Sequence, residues 1–142
     1  MARRDPLRNL RFRLEIDGIQ QAGFSEVSGF DSSTDAVDYR EGNEPTHVRK
    51  LPGLTKYGNL TLKWGATDSL ELSTWRQQIV DGEIVRKNVA IVVIDEAGND
   101  KARFEILDAW PTKYDPIKLN AKGNEVAIET LELVNEGVKR VQ

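Results

Sequence analysis

The chain has 142 residues, of which 39% are hydrophobic and 30% are charged, and its net charge at pH 7 is -3. This length and composition predict one globular domain over residues 1–142, with enough apolar residues for one core and no overall attraction to nucleic acid. The absence of cysteine excludes disulfide bonds and thiolate metal sites, and no apolar run reaches the length of a membrane span, so we expect a cytosolic product without a membrane anchor.

The first predicted elements are two short strands near the N-terminus. Apolar and charged residues alternate over residues 11–17, which is the period-two pattern of a strand with one buried face. Asp17-Gly18 is a tight-turn signal, and residues 19–26 predict a returning strand with Gly23 at a bulge. We therefore expect the chain to open with a β-hairpin.

A long polar segment over residues 41–57 follows a short extended stretch. It has no helical period and few apolar residues, and Pro45 and Pro52-Gly53 interrupt regular strand pairing. We interpret it as an arm, either an extended loop or a loose hairpin. Because its backbone amide and carbonyl groups need partners, we expect the arm to contact another copy of the chain.

One helix is predicted, and it begins shortly after the arm. Asp68 is the candidate N-cap, and Glu71 stands three residues later in the capping-box position. Apolar residues including Trp75 recur at helical spacing until Asp81-Gly82 ends the helix. This apolar stripe predicts a helix that covers an open end or face of a β-sheet core, with Trp75 in the core.

Further strands are predicted on both sides of this helix. Residues 59–64 alternate, residues 88–95 form a β-branched run typical of a central strand, and residues 101–107 return from the turn at 96–100. We expect Trp110-Pro111 to end that hairpin.

The last predicted strand, residues 125–134, alternates imperfectly. Leu131 and Leu133 share one face with Glu129, whereas Ile128 shares the other face with Thr130 and Glu132. Either a bulge shifts the register midway, or both faces of this strand meet protein. The predicted fold is mainly β: a small barrel or sandwich of antiparallel strands with one flanking α-helix and an extended loop arm.

Catalytic and cofactor motifs are absent from the sequence. Asp95, Glu96 and Asp100 lack the alternating ligands of a calcium loop, so we interpret them as a solvated hairpin turn. His47 lies in a polar setting that does not suggest a buried base, and no glycine spacing fits a phosphate loop. We expect no enzymatic activity, no cofactor and no metal site.

The ordered segments of the chain resemble the tail tube family of contractile phages and phage-tail-like injection systems, and are similar to the type VI secretion tube protein. The resemblance covers nearly the whole chain. No single segment is diagnostic of the family, but the segments taken together in this order are specific for it. Its segments are AGFSEVSGF at 22–30, YREG at 39–42, KLPG at 50–53, KYGNLTLKWG at 56–65, WRQQIVDG at 75–82, RKN at 86–88, AWPTKY at 109–114 and NEVAIETLEL at 124–133.

This resemblance implies a structural subunit that forms homohexameric rings stacked into a hollow tube inside a contractile sheath. It also implies that the arm reaches onto adjacent subunits, through Glu41, Asn43, Pro45, His47, Arg49, Lys50, Leu51, Pro52 and Tyr57. Polar strand faces could line a water-filled channel, and we assign Thr61, Lys63, Glu129 and Glu132 to the lumen or to the ring interface. The implied partners are the sheath, a baseplate hub or spike, a tube cap or terminator, and toxin or DNA cargo.

Two alternatives remain. The first is a tube initiator or adaptor ring at the baseplate, with the same fold. The second is a free-standing β-sandwich binding module whose arm holds a ligand. The tube interpretation also implies assembly in the cytoplasm of the producing cell and later release or delivery as part of a phage tail or injection particle.

Overall fold

The computed structural model describes residues 11–19, 23–42, 46, 48–65, 69–116 and 128–142. Within these residues the chain forms nine strands and one helix. In chain order they are β1 (Arg11–Ile16), β2 (Phe24–Ser28), β3 (Ser32–Tyr39), β4 (Arg49–Tyr57), β5 (Leu60–Gly65), α1 (Glu71–Val80), β6 (Lys87–Ile94), β7 (Asp100–Asp115), β8 (Ile128–Val134) and β9 (Gly137–Arg140).

The main sheet is antiparallel and runs in the order β1-β6-β7-β8-β5-β2, while β9 also pairs with β7. The long strand β7 belongs to two halves of this sheet. Its first part pairs with β6 and β9, and its second part pairs with β8. Because β7 passes from one half to the other, the halves can face each other as a sandwich. The sheet does not close into a barrel, so of the two predicted forms the sandwich is the one observed.

The core lies between these halves and is built from the alternating side chains that the sequence predicts. Leu60, Leu62 and Trp64 of β5 are buried, as are Leu131 and Leu133 of β8. The central strand β6 is buried over residues 89–92, the middle of its β-branched run. Full burial of a large aliphatic or aromatic side chain contributes roughly 1.5–3 kcal/mol, so this alternation determines which sheet face turns inward.

Helix α1 packs against β7 and contributes Leu72 and Trp75 to the core. The indole of Trp75 donates a hydrogen bond to the Val85 carbonyl oxygen over 2.8 Å, which satisfies its polar atom. The core position predicted for Trp75 is confirmed. The helix begins at Glu71 with Leu70 as its N-cap residue and no side-chain cap, so the predicted start is early; Asp68 itself lies outside the described residues.

The predicted opening hairpin is wrong. The turn at Asp17-Gly18 exists, with Gly18 at a φ of 72° and an isolated bridge between Ile16 and Ile19. However, β1 pairs with β6, and β2 pairs with β5. The turn signal is local, whereas the partner of each strand is decided by packing with distant segments.

The predicted end at Trp110-Pro111 is also wrong, because β7 continues to Asp115. Its pairing partners change near Asp108, a non-glycine residue with a φ of 51°, whose amide donates to the Asn88 side chain over 3.1 Å. Pro111 then pairs with Leu133 beside a register shift. Proline is tolerated at such an irregularity because it does not need to donate to the ladder there.

Candidate assembly surfaces

The arm is a two-stranded ribbon that forms its own small sheet. Strand β3 pairs with β4 from Ser32↔Tyr57 to Tyr39↔Arg49. The backbone groups of β4 that face β3 therefore have partners in the same chain, whereas the other edge of β4 has no strand partner in the described residues. The expected contact of the arm with another copy stays a prediction. The register shifts between Thr34 and Ala36, where Asp35 faces the two residues that follow Pro52, Gly53 and Leu54.

The two faces of this ribbon differ in character. One face carries the Asp38–Lys50 ion pair and a 2.9 Å hydrogen bond between the Thr34 and Thr55 hydroxyl groups. The other face carries a row of apolar side chains, formed by Val37, Tyr39 and Leu51, which we call the apolar stripe. Val37 and Leu51 lie directly opposite each other and are 49% and 45% exposed.

Gly53 makes the apolar stripe compact. A Cβ atom at this position would lie 2.9 Å from Cγ2 of Val37 and 3.1 Å from the Asp35 carbonyl oxygen. Glycine at position 53 therefore allows the Val37 side chain to lie across the ribbon.

The arm joins the body at a small polar cluster, which we call the arm root. The Gly58 amide donates to the Asp31 carbonyl oxygen over 2.8 Å, and the Asn135 side chain donates to the Gly58 carbonyl oxygen over 2.9 Å. A Cβ atom at Gly58 would lie 1.8 Å from Asp31 Oδ1, and one at Gly29 would lie 2.2 Å from the Asn59 carbonyl oxygen. Only glycine fits at these two positions.

The outer face of β5 and β8 brings three of the four predicted lumen residues together. Thr61 lies opposite Glu132, and Lys63 lies opposite Thr130. The Lys63 ammonium is 3.5 Å from Glu26 on the neighbouring β2, and Glu132 accepts a 2.8 Å hydrogen bond from Asn59. We call this surface the polar sheet face.

Glu129 does not lie on that face. Its carboxylate accepts hydrogen bonds from Trp64 Nε1 at 2.7 Å and from the Tyr114 hydroxyl at 2.6 Å, on the core side of the sheet. The rings of Trp64 and Tyr114 stack with an interplanar angle of 14°. Burial, followed by the hydrogen bond and the charge of Glu129, raises the pKa of Tyr114 to about 12.

Three strands of the main sheet offer edges for association. In the described part of the chain the sheet order ends at β1 and at β2, and β9 pairs only with β7, so each of these strands has one edge without a strand partner. Exposed backbone on an edge strand is a template for pairing with another chain. The sheet edges and the arm are therefore the parts of the subunit that remain available for contact with another chain.

The acidic turn after β6 is held by its own hydrogen bonds. The Asp95 carboxylate accepts hydrogen bonds from the amides of Ala97 and Asn99, and these bonds, chiefly the one from Asn99, lower the pKa of Asp95. This geometry confirms the interpretation of residues 96–100 as a hairpin turn. Over the described residues, no group of three potential metal ligands is present, and no helix has the length and apolar character needed to cross a bilayer.

The structure locates most of the predicted arm residues. Arg49, Lys50, Leu51, Pro52 and Tyr57 lie on β4, and Glu41 accepts a 2.9 Å hydrogen bond from Tyr39. Asn43, Pro45 and His47 lie outside the described residues. Sequence reasoning missed Val37 and Tyr39 as part of this surface, although the alternation over residues 35–39 could have indicated them.

Comparison with known proteins identifies relatives over the whole fold. The T4-like virus tail tube protein gp19 family matches residues 8–139. A chain in the extended-state sheath/tube terminator of the PVC extracellular contractile injection system is 26% identical with a TM-score of 0.88, covering 99% of this chain and 100% of that one. A chain in the PVC sheath-tube complex is 27% identical with a TM-score of 0.84, covering 96% and 91% respectively.

More distant structures share the fold. Hcp1 from Flavobacterium johnsoniae is 16% identical with a TM-score of 0.54, over 91% of this chain and 93% of that one. No curated protein matches the sequence. Since the family match spans nearly all of the described sandwich, its helix and the arm, the chain belongs to the T4-like virus tail tube protein family, whose members are structural tube proteins of contractile tails and injection systems.

Proposed function

We propose that this protein forms homohexameric rings that stack into the inner tube of a contractile injection system or phage tail, with a central channel for cargo. The observation that carries the proposal is the arm. Strands β3 and β4 pack chiefly against each other, and they present an apolar stripe to solvent. An isolated two-stranded ribbon is marginally stable in water, so a surface on another subunit is the natural cover.

The free edges of β1 and β2 support ring closure. A ring requires each subunit to present two different complementary surfaces, and β1 and β2 stand at opposite ends of the sheet order. Joining edges around a ring would also remove them from solvent, where they favour aggregation. The arm then supplies a contact outside the plane of the ring.

The polar sheet face is our proposed channel lining. Thr61, Lys63 and Glu132 share this face, and Lys63 is paired with Glu26, so the surface is hydrophilic without being strongly basic. Glu129 supports this face from the core side and does not itself line the channel.

The role is mechanical and without catalysis, cofactor or metal. Contraction of a surrounding sheath would drive the rigid tube through a target envelope. The solved relatives come from a sheath-tube complex and a sheath/tube terminator, which supports a contractile sheath and a terminating cap as partners of this chain, together with a baseplate hub or spike. Assembly in the cytoplasm of the producing cell and transport of toxin or DNA through the lumen belong to the same proposal.

Native mass spectrometry tests the ring directly. The purified protein with its baseplate initiator should give species with the mass of six 16.0 kDa chains and multiples of that mass. Persistent monomer in the presence of the initiator would contradict the proposal. A single ring that never extends would instead assign the chain to the initiator or adaptor position.

A variant without residues 44–51 tests the arm. We expect a folded subunit that forms no stacked tube, because the deletion removes the end of the ribbon and Leu51. Tubes of normal length from this variant would exclude an axial role for the arm.

A further inference from the structure

The polar sheet face continues onto β2 and β7 as two rows of side chains. Residues that stand in register on paired strands share a face of the sheet, so the register of β2, β5, β8 and β7 defines each row. In this strand order the first row is Ser28, Thr61, Glu132 and Lys113, and the second row is Glu26, Lys63, Thr130 and Asp115. Every side chain in the two rows is therefore polar or charged.

Both lysines of these rows are paired with carboxylates of the same face. The Lys63 ammonium lies 3.5 Å from a carboxylate oxygen of Glu26, and the Lys113 ammonium lies 3.7 Å from one of Asp115. Affinity for nucleic acid comes largely from lysine and arginine side chains that are free to replace the counterions of the phosphates. The two rows offer no such cation.

The carboxylates of the two rows outnumber the lysines by three to two. The third carboxylate is that of Glu132, which accepts a 2.8 Å hydrogen bond from the neutral side chain of Asn59. Lys113 stands opposite Glu132 in register, but its ammonium pairs with Asp115. Glu132 therefore carries the surplus negative charge of this surface, one in each subunit.

Neither row carries an aromatic ring. The rings of Trp64 and Tyr114, on two of the same strands, lie on the core side with Glu129. Trp110 is half-buried and stands opposite Val134, beyond the first row. Proteins that bind single-stranded nucleic acid without sequence preference stack successive bases on exposed rings and pair the phosphates with free cations. The two rows lack both features.

We propose that the polar sheet face retains a polypeptide cargo with an excess of positive charge, and that it does not retain nucleic acid. This inference rests on the proposed tube function and names the class of cargo. In a ring, the Glu132 carboxylates of all subunits would face one channel, so an extended cationic chain meets several of them at once. Contacts between exposed charges are individually weak, but linked contacts reinforce one another. The hydroxyl groups of Ser28, Thr61 and Thr130 supply partners for the backbone of such a chain.

Co-sedimentation with assembled tubes tests the class of cargo on the wild-type protein. Tubes formed with the baseplate initiator are mixed with fluorescent probes of equal, short length: oligolysine, oligoglutamate or single-stranded DNA. At low salt we expect the tubes to retain oligolysine about tenfold more than either anionic probe, because the carboxylates repeat along the channel. At 1 M salt, where the Debye length is about 3 Å, the retention should be lost. Equal or greater retention of the DNA, or no retention of oligolysine, would overturn the inference.

Glu132→Gln removes the surplus charge and keeps an acceptor for Asn59. We expect tubes of this variant to retain oligolysine about fivefold less than wild-type tubes. Glu83→Gln is the matched control, because it removes one negative charge from an exposed position after α1, outside the two rows. It should retain oligolysine as the wild type does. Equal losses in the two variants would mean that the peptide responds to the overall charge of the tube, and the assignment to this face would be wrong.

Labelling of Thr61→Cys in tubes locates the bound peptide, since the native chain has no cysteine and Thr61 stands directly opposite Glu132. Bound oligolysine should slow the reaction of this thiol with a small maleimide, whereas oligoglutamate should not. An unchanged reaction rate with oligolysine bound would place the peptide elsewhere and overturn the inference. Tubes that form but retain no oligolysine would leave the tube function intact, whereas failure of the wild-type protein to form rings with its initiator would overturn both.

Discussion

The indole nitrogen of Trp64 lies 2.7 Å from Oε2 of Glu129, so a carboxylate at the start of β8 is bound to an aromatic ring at the end of β5. The Tyr114 hydroxyl, from β7, donates to the other oxygen of the same carboxylate at 2.6 Å. One acidic side chain therefore links three neighbouring strands at one end of the sandwich.

Replacement of Glu129 by leucine should destabilise the subunit. The change removes two hydrogen bonds to a charged acceptor and leaves the buried indole N–H of Trp64 without a partner. We expect the free energy of unfolding to fall by about 2–4 kcal/mol, measured by urea denaturation of the unassembled protein. Glu132→Leu is the control on the solvent side of the same strand, with an expected loss within about 1 kcal/mol; equal losses in the two variants would contradict this account.

Stability at alkaline pH should depend on Tyr114. Its pKa is raised to about 12 from the ordinary value of 10.0, so between pH 10 and 12 the unfolded chain releases this proton while the folded chain keeps it. The stabilising contribution is complete below pH 10 and decreases as pH rises towards 12. Urea denaturation at a series of pH values should give a flatter decline for Tyr114→Phe than for the wild type over this window, and identical slopes would refute the assignment.

Gly58→Ala should disturb the arm root. The new methyl group would overlap the Asp31 carboxylate and the Gly29 carbonyl oxygen, and overpacking of this kind typically costs about 1–3 kcal/mol. We expect faster amide exchange in β3 and β4 and weaker tube formation. Gly65→Ala is the matched control, because a Cβ atom at Gly65 meets nothing within 4 Å. Unchanged exchange in Gly58→Ala would show that the root does not hold the arm.

The channel assignment of the polar sheet face can be tested with Thr61→Cys. In the unassembled subunit the thiol should react with both a small maleimide and a polymer-linked maleimide. In tubes it should keep its reaction with the small reagent and lose its reaction with the large one, because a channel admits only small molecules. Reaction with the polymer-linked reagent at the monomer rate would exclude a channel position for Thr61.

The sequence predicts the elements of the sandwich better than their connections. The alternation of Leu60, Leu62 and Trp64 and the β-branched run of β6 depend on burial, which leaves a direct pattern in the chain. The pairing of β2 with β5 in place of β1 leaves no such pattern. The partner of β2 depends on which strand edges remain free after the rest of the sheet has formed.

The arm was predicted as a feature but not as a regular ribbon. Residues 49–57 are mostly exposed, so burial does not impose an alternation of apolar and polar residues on them. Pro52 in addition favours a loop. Pro52 nevertheless pairs with Ala36, and the bulge lies at the next two residues, Gly53 and Leu54. The arm root was missed because Gly29, Gly58 and Asn135 are brought together only by the fold.

A cryo-EM reconstruction of the protein assembled with its baseplate initiator would show directly whether the chain forms a tube. We expect a hollow tube of stacked six-membered rings, with the polar sheet face towards the channel and each β3–β4 ribbon crossing to a subunit of the adjacent ring. Rings in which every ribbon folds back on its own subunit, or particles without a continuous channel, would contradict this expectation.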